Sequence, residues 1–210
     1  GTFAIGTVSD TVAGVQLTSG SITGSGGTLT STSTFDVRDG SVSAILGGSV
    51  GLTKTTAGTV TLSGTNTYTG ATLLSAGDLV VNGSIGSSSL TTIDGGTLRG
   101  TGTVGAIQLN SGGAINPAGV TTAGTLNTGD IAIVDGQLRF NLGGTGSYDQ
   151  LNTTGTINLA AGGAGAKLVL DAISGYVATL NDAFTLAIND VGDAITGKFA
   201  KVNTSGTNVV

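Results

Sequence analysis

Residues 52–83 read LTKTTAGTVTLSGTNTYTGATLLSAGDLVVNG. Short segments in which apolar and polar residues alternate, such as Val60/Leu62 and Leu79/Val81, are separated by glycine-containing turns. Alternation with a period of two is the pattern of a half-buried β-strand, and turns favour Gly and Asn. The stretch therefore predicts several short strands joined by tight turns.

The same alternation recurs outside this stretch. Further segments of this kind are Ile107/Leu109, Ile131/Ile133, Leu138/Phe140/Leu142, Leu168/Leu170 and Phe184/Leu186/Ile188. No window carries an apolar stripe at helical spacing, and β-branched residues, which restrict helices, are abundant. We therefore predict an all-β chain.

A glycine followed two residues later by an aliphatic residue recurs along the chain at intervals of roughly 20 residues, a length typical of solenoid repeats. These anchors are Gly20, Gly40, Gly58, Gly77, Gly96, Gly113, Gly136, Gly155 and Gly175. Three short strands and their turns consume about 20 residues, which is one coil of a parallel β-helix. The spacing predicts a right-handed, single-stranded parallel β-helix (a solenoid) of about nine coils. Its narrow core would suit the low aromatic content of 4%.

Two other architectures compete with the solenoid. Disordered low-complexity chain would fit the 39 glycines, but the mean hydropathy of +0.35 and the charged fraction of 9% oppose it. An antiparallel sandwich or barrel would need hairpin turns. Asn82-Gly83 is the best candidate, and Asp39-Gly40, Asp94-Gly95 and Asp135-Gly136 are further ones.

The charge distribution and the absence of cysteine limit the kinds of partner and site that the chain can have. The seven basic residues are scattered, so we expect neither nucleic acid nor an anionic membrane surface to bind. Absence of Cys excludes disulfides and thiolate zinc sites, and no segment approaches the ~18 apolar residues of a membrane span. Because the sequence begins at Gly1 without Met, we expect a fragment whose signal peptide lies outside it.

Residues 52–83 resemble the passenger-associated β-strand repeat of bacterial autotransporters, and the segments 36–51, 148–159 and 184–199 are similar to its usual neighbours. The resemblance implies an exported protein, extracellular or on the bacterial cell surface. It also implies a C-terminal outer-membrane β-barrel in the full-length protein, with no membrane insertion by this fragment. In that family the repeat is a scaffold, so no catalytic residue can be transferred.

We expect one domain, with regular coils over residues 1–159 and a less regular C-terminal region of coils and cap over 160–210. Serine or cysteine triads are excluded because the chain has neither His nor Cys, which leaves a formal Ser–Lys pair with Lys54 or Lys167. The close carboxylate pairs are Asp36/Asp39, Asp130/Asp135 and Asp190/Asp193. Most lie beside Gly or Asn, which favours turns over glycoside chemistry.

Two further patterns suggest ligands. Residues 143–149 (GGTGSYD) resemble the nonapeptide of calcium-binding β-rolls, but the Asp comes one position late and no second copy exists, so a turn is the better interpretation. Tyr68 and Tyr148, with Tyr176, are candidates for a sugar-stacking surface. For Tyr68, inside the repeat, a structural role is the favoured alternative.

The function predicted is that of a non-catalytic structural segment: a rigid stalk in a surface passenger that supports secretion, folding and adhesion. A carbohydrate-binding adhesin module and a β-helix polysaccharide lyase or hydrolase are the alternatives. No cofactor and no metal site are predicted. Host or environmental glycans or surface proteins would be the partners, and the sequence does not identify the ligand.

Overall fold

The computed structural model describes residues 1–190 and 192–205, which form strands and turns without any helix. The first strands are β1 (Thr2–Gly6), β2 (Asp10–Val12), β3 (Gln16–Leu17), β4 (Ser21–Gly24), β5 (Thr28–Ser31), β6 (Phe35–Val37), β7 (Gly40–Val42), β8 (Ile45–Gly47) and β9 (Leu52–Lys54). The middle strands are β10 (Thr59–Leu62), β11 (Thr72–Leu74), β12 (Asp78–Val81), β13 (Ser84–Ile85), β14 (Thr91–Ile93), β15 (Gly96–Gly100), β16 (Thr103–Val104), β17 (Ile107–Leu109) and β18 (Gly113–Pro117). The last strands are β19 (Thr125–Thr128), β20 (Ile131–Ile133), β21 (Gln137–Leu142), β22 (Gln150–Thr153), β23 (Ile157–Asn158), β24 (Lys167–Ala172), β25 (Ala187–Asn189), β26 (Ile195–Thr196) and β27 (Lys201–Ser205).

The strands stack into three faces, and each strand pairs in parallel with the strand one lap later. The ten-stranded face has the order β1-β4-β7-β10-β12-β15-β18-β21-β24-β27, and the nine-stranded face runs from β3 to β26. A third, split face consists of the three strands β2-β5-β8 and the five strands β13-β16-β19-β22-β25. This is a parallel β-helix, as predicted, and the parallel pairing excludes the antiparallel sandwich.

Within the described residues the chain makes nine laps, each opening with a strand of the ten-stranded face. The first and last laps are open to solvent: Phe3 is 55% exposed and Ile195 is 51% exposed. The buried core is nevertheless continuous from Leu17 in the first lap to Leu170 in the last, and about seven turns of the solenoid are complete. Of the predicted C-terminal cap, residues 191 and 206–210 lie outside the described residues.

Lap length is nearly constant at first and then grows. Along the ten-stranded face, Val42 pairs with Leu62 and Leu79 with Leu98, so an early lap takes roughly 20 residues. Later laps are longer, because Ile115 pairs with Leu138, and Leu138 pairs with the still more distant Leu168. The predicted anchors from Gly20 to Gly136 lie at or just before strands of this face, but Gly155 and Gly175 do not. These two glycines do not mark the ten-stranded face because loops lengthen the later laps, so the regular spacing no longer holds there.

The core consists of rows of aliphatic side chains, one per lap. In the ten-stranded face Val60, Leu79, Leu98, Ile115 and Leu138 are successive partners, and each is at most 3% exposed. Burying such a side chain contributes about 1.5–3 kcal/mol. Because each row member touches the one above and below, the apolar contact continues from lap to lap.

A column of glycines forms the corner that leads into this face. Gly77 and Gly96 both have φ of +70°, a conformation that L side chains rarely adopt. A Cβ on Gly96 would lie only 2.3 Å from the carbonyl oxygen of Gly77, one lap below. The laps can therefore approach to hydrogen-bonding distance at this corner only if the side chain is absent.

We expect Gly96→Ala to lower the free energy of unfolding by about 2–4 kcal/mol, because the methyl group combines backbone strain with a clash against the preceding lap. Urea denaturation followed by circular dichroism measures the loss. Gly146→Ala is the matched control: no atom lies within 4 Å of its Cβ. Equal stability of the two variants would contradict the close-packed corner.

Lys54 interrupts an otherwise apolar row of the nine-stranded face. It pairs with Leu74 of the next lap and is 0% exposed. Its ammonium donates hydrogen bonds to the carbonyl oxygens of Thr56 and Ala76, the latter at 3.1 Å. Burial lowers the pKa of Lys54, and the charges of Asp39 and Asp78 oppose that shift. The buried charge thus caps backbone carbonyls at the turn.

Lys54→Met should change the free energy of unfolding at pH 7 by no more than about 2 kcal/mol, because the removed desolvation cost of the ammonium offsets the hydrogen bonds that the carbonyls of Thr56 and Ala76 lose. Since the folded pKa lies below the unfolded one, the unfolded state holds the proton more tightly. Wild type should therefore gain stability relative to Lys54→Met as the pH rises toward 10.5. Denaturant titrations at several pH values measure this, and the opposite trend would contradict the burial argument.

Candidate functional site

The split face has no strand in the segment between β10 and β11, and the side chain of Asn66 bridges the gap. The amide oxygen of Asn66 accepts a hydrogen bond from the backbone N–H of Leu46 at 2.9 Å, one lap below. Its amide nitrogen donates to the carbonyls of Gly64 (3.1 Å) and of Ser84, one lap above (3.0 Å). Asn66 is 2% exposed. It therefore bridges β8 and β13 where the sheet would otherwise be interrupted.

Tyr68 lies next to this bridge and points into the core. It is 1% exposed, and its ring centroid lies 6.1 Å from that of Phe35. Its hydroxyl makes a 2.8 Å hydrogen bond with the Thr72 hydroxyl, which in turn bonds the Ser88 hydroxyl at 2.9 Å. Burial raises the pKa of Tyr68 to about 12. Its ring is enclosed by the coils, which agrees with the structural role favoured for Tyr68 and leaves no exposed face for a ligand.

Three loops protrude from one corner of the late laps. Residues 118–124, 143–149 and 173–186 each follow a strand of the ten-stranded face, namely β18, β21 and β24. In an earlier lap the same corner takes only the short link between β15 and β16. We call these three segments the loop corner. It is the main departure of the described residues from a smooth rod.

An aromatic cluster joins two loops of this corner. The ring of Phe184 meets Tyr148 and Tyr176 edge to face, with centroid distances of 5.3 and 6.1 Å. The Tyr176 hydroxyl donates to Asp182, which raises the pKa of Tyr176 to about 12. The structure thus brings Tyr148 and Tyr176 together and leaves Tyr68 elsewhere. Tyr148 is half-buried, and its role as a ligand surface stays a prediction.

A buried polar group lies at the base of the loop corner. Asp149 is 0% exposed, and its carboxylate accepts hydrogen bonds from the backbone N–H groups of Gly124 and Asn141, both at 2.9 Å. The Asn141 side-chain amide donates a third, also at 2.9 Å. Burial raises the pKa of Asp149 to about 6, although these hydrogen bonds oppose the shift. Asp149 thereby fastens residues 118–124 to residues 143–149.

Sequence reasoning found the turn in this segment but missed the polar base. Gly143 and Ser147 close the predicted turn with a 2.7 Å backbone hydrogen bond. Asn116 and Asn141, both 1% exposed, were not singled out. Their spacing in the sequence is close to the lap length at this point, and that spacing is the signal that could have revealed them.

The predicted carboxylate pairs near the N-terminal laps serve structural roles. Asp36 forms a 2.7 Å ion pair with Arg38, whose hydrogen bond lowers the pKa of that carboxyl. Asp39 accepts a 3.0 Å hydrogen bond from the backbone N–H of Thr59, one lap above. Both carboxylates therefore have partners, although Asp36 lies within strand β6 rather than in a turn.

The later carboxylates also bind neighbouring laps. Asp130 accepts a 2.7 Å hydrogen bond from the backbone N–H of Thr156, and Asp135 pairs with Lys167 at 3.1 Å. Asp193 shares a hydrogen bond with Asp190, which raises the pKa of Asp193. In residues 1–190 and 192–205 no group of three or more His, Cys, Asp or Glu residues is placed so that it could hold a metal ion. Nor do those residues contain an apolar helix long enough to span a membrane.

We expect Asn66→Ala to cost about 1–3 kcal/mol in unfolding free energy, because the buried N–H of Leu46 loses its partner, whereas the carbonyl of Ser84 keeps the backbone N–H of residue 66. Chemical denaturation measures the loss. Asn82→Ala is the control, since Asn82 is exposed and makes one long hydrogen bond to Thr101 at 3.4 Å. If both variants lose the same small amount, Asn66 is not the bridge between laps.

Comparison with known families identifies the segment that contains this bridge. Residues 52–81 match the family model described as passenger-associated-transport-repeat. No curated protein matches the chain. The match begins at β9 and ends with β12, so it includes Asn66, Tyr68 and Lys54. The chain therefore carries a passenger-associated transport repeat within a parallel β-helix of the autotransporter-passenger type.

Proposed function

We propose that this chain is a non-catalytic structural segment of a passenger: a rigid stalk that supports export and folding at the cell surface. The repeat in residues 52–81 belongs to autotransporter passengers, which are exported to the cell surface. A translocator barrel in the full-length protein is part of this proposal. The finer role rests on one observation, the parallel pairing that continues from lap to lap through the ten-stranded and nine-stranded faces.

Such a ladder supports stepwise folding. Each completed lap leaves an open strand edge, and the next stretch of roughly 20 residues supplies the strand that pairs with it. Adding a lap also buries another member of each apolar row, so the gain is similar at every step. A chain that emerges from a pore could therefore fold lap by lap on the outside, and folding would oppose backward movement.

A catalytic role has less support. Lys54, one candidate for a Ser–Lys pair, donates to backbone carbonyls, and Lys167 pairs with Asp135. Tyr68, one of two candidates for sugar stacking, is enclosed in the core. We therefore propose neither an enzyme nor a carbohydrate-binding module for these residues.

Surface display tests the stalk proposal. Residues 1–210 are fused between a secretion signal and an outer-membrane translocator barrel, and intact cells are stained with antibody and treated with protease. The wild-type segment should reach the surface and resist digestion. Leu79→Asp should reduce both, because a carboxylate in the core row costs about 4 kcal/mol or more.

Val80→Asp is the matched control, since Val80 lies in the same strand but is only partly buried. Its display should resemble wild type. Equal display and protease resistance of Leu79→Asp would show that folding of the stack does not assist export. Turnover of acidic polysaccharides by the purified segment, with or without calcium, would contradict the non-catalytic assignment.

A further inference from the structure

The base of the loop corner contains more buried oxygen atoms than its hydrogen-bond donors can satisfy. The end of the Asn116 side-chain amide lies 2.9 Å from the carbonyl oxygen of Gly119 and 3.1 Å from that of Pro117. The same amide end lies 3.3 Å from the amide nitrogen of Asn141. Asn141 in turn donates to Gly119 and to the Asp149 carboxylate. All of these groups meet beneath residues 118–124.

Neither orientation of the Asn116 amide satisfies the cluster. With its oxygen facing inward, that oxygen lies against the carbonyl oxygens of Gly119 and Pro117, and its only donor is the Asn141 amide at 3.3 Å. With its nitrogen facing inward, the two carbonyls gain a donor, but two amide nitrogens then face each other at 3.3 Å. The side-chain oxygen of Asn141 is buried and has no hydrogen-bond partner. An unpartnered buried oxygen of this kind costs about 1–3 kcal/mol.

A cation resolves the mismatch. If the Asn141 amide turns over, its unpartnered oxygen joins those of Asn116, Pro117, Gly119 and Asp149 in a cluster of five oxygens. Carbonyl, amide and carboxylate oxygens are the ligands that Ca²⁺ takes, in sets of six to eight that often include water. Once turned, the Asn141 amide no longer donates to Asp149, so one oxygen lone pair of that carboxylate becomes free to bind the ion.

We propose that Asn116, Asn141 and Asp149, with the carbonyls of Pro117 and Gly119, form a calcium site at the base of the loop corner. With a single carboxylate the site belongs to the weak class, with Kd of about 10⁻⁴–10⁻³ M, which suits the calcium levels outside cells. Bound calcium ties residues 118–124 to residues 143–149. The loop corner is then held in one arrangement by the ion.

Thermal unfolding of the intact chain with added calcium tests the site. After treatment with chelator and its removal, the melting midpoint should rise by about 3–5 °C at 10 mM CaCl₂, as expected for a Kd near 1 mM. NaCl at matched ionic strength should give no such rise. Asp149→Asn should lose the calcium response, whereas Asp193→Asn, at a surface position, should keep it.

A second variant keeps the test decisive if Asp149→Asn fails to fold. Asn141→Asp adds a second carboxylate to the cluster, so a calcium site should bind more tightly and give a larger rise of the midpoint. In a cluster held by hydrogen bonds alone, the same change places two carboxylates side by side and lowers the midpoint with or without calcium. The proposal is overturned by that result, by a wild type that does not respond to calcium, or by an equal response to NaCl.

Discussion

The parallel backbone ladder between successive laps is the constraint on which the rest of the structure depends. Because register is kept from one lap to the next, a residue's neighbours in space lie one full lap away in the sequence. An aliphatic residue at one inward position therefore requires a compatible residue at the same position one lap later. The apolar rows and the glycine corner both follow from this requirement, since side chains fill the core and must be absent where backbones touch.

The buried polar residues make sense as partners for backbone groups. Asn66 bonds the N–H of Leu46 and the carbonyl of Ser84, where the split face lacks a strand. Lys54 bonds carbonyls at a turn, and Asp149 bonds two backbone N–H groups at the loop corner. A buried backbone group without a partner costs about as much as a lost hydrogen bond. Each of these side chains is therefore explained by the interruption beside it rather than by chemistry on a substrate.

Sequence reasoning identified the strands and the lap length where laps are regular, because period-two alternation and glycine spacing report those features directly. It failed at Gly155 and Gly175, where loops lengthen the lap and a glycine no longer marks the same corner. It left Tyr68 open between a ligand surface and the favoured structural role, since the direction in which a residue between strands points depends on where the chain bends, which alternation does not encode. Asn116 and Asn141 become recognisable as neighbours only once the local lap length is known.

The lengthened laps show how such a stack can acquire a local structure without losing its core. An insertion at a corner leaves the flanking strands in register: Leu138 still pairs with Leu168, although far more chain separates them than separates partners in the early laps. Independent insertions would be expected to extend separately into solvent. Here Asp149, in residues 143–149, accepts a hydrogen bond from Gly124 in the preceding loop. Phe184, in the following loop, packs against Tyr148. The polar base thus connects the first loop to the second, and the aromatic cluster connects the second to the third, so the three loops are linked in series above the ladder.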